Sequence, residues 1–124
     1  MQIPAQYNQL MPYLILSTAS EFLEFAKTVF GATEQLMQHR PDGSVMHAEL
    51  RIGQAVIMFA DANETVSVRT AGMCLLVEDV DGVYAKAVSQ GASSLQAPED
   101  KDYGKQGGFQ DKFGNQWWLI ESIK

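Results

Sequence analysis

One stretch of this chain recurs in outline. "FGATEQL" at 30–36 and "QGASSLQ" at 90–96 stand sixty residues apart, and each follows an apolar run and then a helically spaced segment. Each sets Gly-Ala where a helix would end, Gly31-Ala32 and Gly91-Ala92. The helical faces agree only after a slip of one residue, so the likeness lies in the order of elements more than in identity. A strand–helix–strand–strand–strand order met twice implies an α+β fold of two tandem βαβββ modules. They are expected at approximately 9–64 and 72–123, within a single domain over residues 1–124. Each module then has one sheet face under its helix. The other face must be covered by something else or line a cavity.

The first half supplies its elements in turn. "MPYLILST" reads as a strand, and "TASE" as a capping box with Thr18 as N-cap and Glu21 three residues on. Phe22, Phe25, Ala26 and Val29 recur at helical spacing up to Gly31, which suits a helix exit. "ATEQLMQHR" is a strand and "PDG" a turn. "SVMHAELRI" alternates, with Met46, Ala48, Leu50 and Ile52 on the helix side and Val45, His47, Glu49 and Arg51 on the other. "AVIMFA" follows a short turn.

In the second half "MCLLVE" is a strand, and "DVDGVYAKAVSQG" a helix capped by Asp79. Its buried face is expected to hold Val80, Val83, Tyr84, Ala87 and Val88. "ASSLQAP" and "GKQGGFQDKFGNQWWLIES" give three more strands, the last turn being "FGN". The glycines of "YGKQGGF" lack the lysine and helix of a phosphate loop and suit a mobile rim or irregular strand. Trp117 and Trp118 must point to opposite faces. Phe59 and Trp117 are expected beneath the helices.

Nine basic and fifteen acidic residues give a net charge of -6, and the basic ones are scattered, which argues against a nucleic-acid partner. No apolar run approaches the length of a membrane span, and the N-terminus lacks the pattern of a signal peptide. Cys74, alone in the chain, reads as a buried thiol in "MCLLV", consistent with a reducing, cytoplasmic setting.

His47, Glu49 and Arg51 are the one concentrated polar set on a strand. Such alternation is what an ordinary half-exposed antiparallel strand shows, with Arg51 and Glu49 in a local ion pair, and that is the expectation for it. The alternative is a cavity wall, on which Arg51 holds an anionic or carbonyl group and a His47–Glu49 pair handles protons. No "GxSxG" elbow supports serine hydrolysis. His39 reads as a surface residue.

"YLILSTASEFLEFAKTVFGA", "GSVMHAELRIGQAVIMFAD", "LVEDVDGVYAKAVSQGA" and "DYGKQGGFQDKFGNQWWLI", in this order, resemble the vicinal-oxygen-chelate superfamily. This is the group of glyoxalase I, the bleomycin-resistance proteins and certain ring-cleaving dioxygenases, and its PhnB-like subgroup is the nearest in pattern. The resemblance covers nearly the whole chain and implies a homodimer whose cavities both chains complete. It departs from the subgroup at Lys105-Gln106, where an acidic residue or arginine is common, and at Asp111-Lys112, where Asp-Pro is common.

Metal-dependent relatives carry one ligand on each of four strands, and the resemblance sets these places on Met11, Met58, Met73 and Trp118. Thioethers and an indole cannot replace charged or imidazole ligands of a divalent ion. No metal or other cofactor is therefore expected. Met11, Met58, Met73, Trp118, Arg51 and His47 become candidates for contact with a small apolar or aromatic molecule. Three functions follow in order: a metal-free sequestering or carrier protein; an enzyme with a non-standard metal site or acid–base chemistry at His47 and Glu49; and a structural dimer without ligand.

Overall fold

A computed structural model describes residues 1–122; Ile123, where the second module is expected to end, lies outside the described residues. The chain runs β1 (Tyr13–Leu16), α1 (Ala19–Phe30), β2 (Thr33–His39), β3 (Val45–Ile52), β4 (Ala55–Asp61), β5 (Gly72–Val77), α2 (Val80–Ser89), β6 (Ser93–Lys101), β7 (Gly104–Gln110) and β8 (Gln116–Glu121). The strand–helix–strand–strand–strand order does occur twice. Two four-stranded sheets result, ordered β1-β4-β3-β2 and β5-β8-β7-β6. In each, the first strand runs parallel to the last and the remaining pairs are antiparallel. The chain divides into two compact units, Met1–Thr70 and Ala71–Lys124.

In the N-terminal unit the expected stripe of α1 is buried, joined by Ala19 and Leu23. Phe22 meets Phe59 of β4 edge-on at 5.3 Å, which fixes the face of the sheet that α1 covers. Gly31 ends the helix with φ 69°, a left-handed conformation that glycine adopts without a side-chain penalty. The start of the helix differs from expectation. Thr18 is the N-cap residue, but its side chain makes no capping hydrogen bond. Instead Asp61, at the end of β4, accepts from the backbone N–H of Ala19 at 2.7 Å, and its other oxygen accepts from Val45 N–H at 2.7 Å.

Ala48 and Leu50 are buried on the helix side of β3 as expected, whereas Met46 is exposed. Val45, expected on the other side, is buried instead, because the pairing of β2 with β3 slips between Gln38 and His39 and makes Met46 the extra residue of a bulge, which exchanges the faces at this end of β3. In the C-terminal unit Asp79 caps α2 by accepting from Gly82 N–H at 3.0 Å. Val80 and Ala87 are buried and Val83 and Tyr84 half-buried, but Val88 is exposed. At 3.6 residues per turn Val88 lies about 80° round the helix from Val80, at the stripe's edge.

β7 is a strand that pairs with β8 without a register shift but with β6 across two irregularities, so the irregular-strand alternative describes most of "YGKQGGF". Its adjacent glycines serve opposite faces. A Cβ on Gly107 would stand 3.3 Å from Val80 at the start of α2. One on Gly108 would stand 2.6 Å from the Trp118 ring.

Candidate functional site

β1, β3 and β4 turn a second face away from α1. Register sets Tyr13 beside Met58, and Met58 beside Glu49, on that open face. Period-two alternation in "YLIL" buries Leu14 and Leu16 and leaves the Tyr13 ring on the open side.

A continuous polar line runs across this face. The Tyr13 hydroxyl lies 3.0 Å from His47 Nδ1, and His47 Nε2 lies 2.8 Å from Glu49 Oε2. Gln35 Nε2 donates to Glu49 Oε1 at 3.0 Å, while Gln35 Oε1 accepts from Arg51 Nη1 at 3.0 Å. Gln35 reaches Glu49 because the pairing of β2 with β3 slips between Glu34 and Leu36, so it is the extra residue of a bulge. The segment before β1 covers this end of the line. Tyr7 donates to both Glu49 oxygens, at 3.0 and 2.8 Å, and Gln6 O accepts from Arg51 Nη1 at 3.0 Å.

Glu49 is consequently only 2 % exposed. Burial pushes its carboxyl upward, but hydrogen bonds from Gln35, His47 and Tyr7 outweigh that, and the group titrates below its ordinary range. The Tyr7 phenol is held above its ordinary range, chiefly by its hydrogen bond to Glu49. Glu49 is thus an ionised acceptor among donors, and the chain's arrangement can orient an imidazole and pass a proton along the line.

The C-terminal unit has an open face of another kind. Trp118 pairs with Cys74 on β5 and with Gly108 on β7. Its six-membered ring crosses Gly108, where any side chain would collide with it, and the residue is 38 % exposed. Leu76 and Ile120 continue the same face. Trp117 turns inward with Leu119 and is buried, its indole N–H donating to Asp111 Oδ2 at 2.8 Å.

The structure brings His47, Glu49, Arg51 and Met58 onto one face, and adds Tyr7, Tyr13 and Gln35. The sequence reading missed all three, although alternation in "YLIL" could have placed Tyr13 on the open face. Tyr7 and Gln35 were not legible, because an irregular segment and a bulge position them. The solvated-face expectation is corrected: Glu49 is buried, and Arg51 bonds Gln35 and Gln6, not Glu49. Met73 pairs with Trp117 on the covered face, so it does not share a face with Trp118; Cys74 does, and it is exposed, not buried. Met11 is half-buried just before β1, where Pro12 O accepts from Met58 N–H at 2.9 Å.

The family model of the Glyoxalase/Bleomycin resistance protein/Dioxygenase superfamily matches residues 8–119. The chain belongs to this superfamily. An uncharacterized protein of Mycobacterium bovis is 29 % identical over 93 % of this chain and 84 % of its own. Among solved structures, a PhnB protein from Bacillus cereus superposes with a TM-score of 0.72 at 19 % identity, covering 93 % of this chain and all (100 %) of that one. TnmS3, an antibiotic binding protein from Streptomyces sp. CB03234, gives 0.72 at 19 % identity and covers 99 % of each chain.

Of the four places the resemblance implies, Met11, Met58 and Trp118 offer thioether or indole groups, which fit no hard or borderline divalent ion, while strand pairing sets the Cys74 thiol, not Met73, on the face of Trp118. Among the described residues no three His, Cys, Asp or Glu side chains are grouped to hold one. No helix among them is long and apolar enough to cross a membrane.

Proposed function

We propose that this superfamily member is a metal-free small-molecule-binding protein, acting as a homodimer, whose flat, largely apolar or aromatic ligand lies against Trp118. The observation that supports this best is the half-open indole packed against Gly108. A broad aromatic surface kept partly free on a sheet face shared with Leu76, Ile120 and the amide side chains of Gln106 and Gln116 gives a planar ligand dispersion and stacking at little conformational cost. Thioether and indole groups at Met11, Met58 and Trp118, three of the four ligand places that the resemblance implies, favour binding over metal chemistry. TnmS3, described as an antibiotic binding protein, shares the fold and gives the reading a precedent.

The test is tryptophan emission titrated with a panel of planar aromatic compounds. Trp117 supplies a buried background, so ligand-dependent quenching is expected to reside in Trp118. Trp118→Phe should remove the quenching, and Trp118→Ala should weaken binding by about 0.5–1.5 kcal/mol, the worth of an aromatic pair. Quenching that survives in Trp118→Phe, or no quenching by any compound, would overturn the proposal.

A further inference from the structure

Tyr13, His47 and Glu49 differ from an ordinary surface cluster in their order and in how their two ends are treated. An ionised carboxylate only accepts, so the 2.8 Å contact to Glu49 assigns the ring proton to Nε2 of His47. In the neutral ring Nδ1 is then a lone-pair acceptor, and it faces the Tyr13 hydroxyl at 3.0 Å. The phenol donates to a base, and the base donates to a carboxylate. That is the sequence of nucleophile, base and orienting group in acyl-transfer sites. The carboxylate end is closed by Tyr7 and Gln35, which fix Glu49. The phenol end is open, with Tyr13 48 % exposed.

We propose that Tyr13 is a base-activated nucleophile that accepts acyl groups from activated esters. The phenolic oxygen bonds to the acyl carbon, and the bond from that carbon to the leaving oxygen breaks. The phenolic proton passes to His47 Nδ1, giving an imidazolium paired with Glu49, which then releases the proton to the departing oxygen. The products are a Tyr13 ester and a free alcohol or phenol. Tyr13 and His47 are the reacting groups, and Glu49 is a positioning residue. The step lies on the N-terminal unit and does not depend on the binding reading for Trp118.

The chain contains its own control. Tyr103 is 64 % exposed, more than Tyr13, so exposure alone would make Tyr103 the faster to react. The experiment treats the full chain carrying Cys74→Ser, which removes a competing exposed thiol, with 4-nitrophenyl acetate. Nitrophenolate release gives the rate, and peptide mass mapping gives the site. Tyr13 should be acetylated at least about tenfold faster than Tyr103, a modest share of what a positioned base contributes. His47→Gln should bring Tyr13 down to the rate of Tyr103 or below it without changing Tyr103. Glu49→Gln should slow Tyr13 less and, in imidazole nitrogen NMR, loosen the Nε2–H tautomer of His47, which a purely structural role would leave alone. Tyr103 reacting as fast as Tyr13 in the Cys74→Ser chain overturns the proposal, and so does a Tyr13 rate unaffected by His47→Gln.

Discussion

The Trp117 indole N–H donates to Asp111 at 2.8 Å, and the same buried carboxylate gathers the whole turn between β7 and β8. It accepts from the backbone N–H of Phe113 and of Asn115 and from the Asn115 side-chain amide, at 2.9, 2.9 and 3.1 Å. Asn115 in turn accepts from Ala71 N–H at 3.1 Å, tying the turn to the entry of β5. Asp111→Ala would strand several buried donors and should cost about 3 kcal/mol. Trp117→Ala should cost roughly 3–5 kcal/mol as a large-to-small core change. Urea unfolding measures both. A loss below about 1 kcal/mol for Asp111→Ala would show the turn to be held by other means.

A second prediction separates two residues that could cap α1. Asp61 supplies the acceptor at the helix start and also takes Val45 N–H, whereas the Thr18 hydroxyl contributes no cap. Asp61→Ala should destabilise by about 1–2 kcal/mol and Thr18→Ala by less than about 0.5 kcal/mol. Equal effects in thermal or urea unfolding would contradict the structure.

These two cases mark what the sequence makes legible. Local rules placed the elements: periodicity buried Phe22 and Val29, glycine ended α1 at Gly31, and Asp79 capped α2 through a partner three residues away. They failed where a group from a distant segment took over. "TASE" satisfies the capping-box pattern, yet an aspartate forty-two residues on holds the helix N-terminus. Glu49 reads as a solvent-facing member of an alternating strand, because nothing local announces that Tyr7 will cover it from the same distance. Met73 was set beside Trp118 by resemblance, and pairing of β5 with β8 moved it one residue out of phase. A slip of one residue exchanges the faces of a strand, so site residues carried by pattern are the most fragile part of such a reading.

Acid should expose the Glu49 network. Its folded carboxyl titrates below the ordinary, unfolded value of about 4.3, so its stabilising contribution is complete above that value. The contribution is lost as pH falls through the lower folded value. Other carboxylates share in acid unfolding, Asp42 among them, so the comparison must be with Glu49→Gln. The drop in urea midpoint between pH 7 and pH 3 should be smaller in Glu49→Gln than in the parent chain. Identical drops would mean that the donors around Glu49 do not favour its ionised form.

Donor chemistry at the superfamily's ligand places leads to a compositional prediction. Protein purified without chelator should contain no stoichiometric zinc, nickel, iron or manganese by elemental analysis, because among the described residues no three His, Cys, Asp or Glu side chains are grouped to hold such an ion. About one such ion per chain would sink the metal-free reading.

The closest approach on the C-terminal open face gives the last prediction. A Cβ at residue 108 would lie 2.6 and 2.7 Å from Trp118 Cε3 and Cζ3, inside any real contact, so Gly108→Ala must displace the ring. The indole is partly solvent-facing and can swing outward, which makes displacement easier than distortion of the paired backbone of β7 and β8. Stability should therefore fall only by about 1 kcal/mol or less. Trp118 emission should shift to the red as the ring enters water, and binding of any compound that quenches Trp118 should weaken. Trp117, on the opposite face, should stay in its apolar surroundings. Unchanged emission in Gly108→Ala, with folding intact, would mean that the ring does not pack against residue 108 in solution.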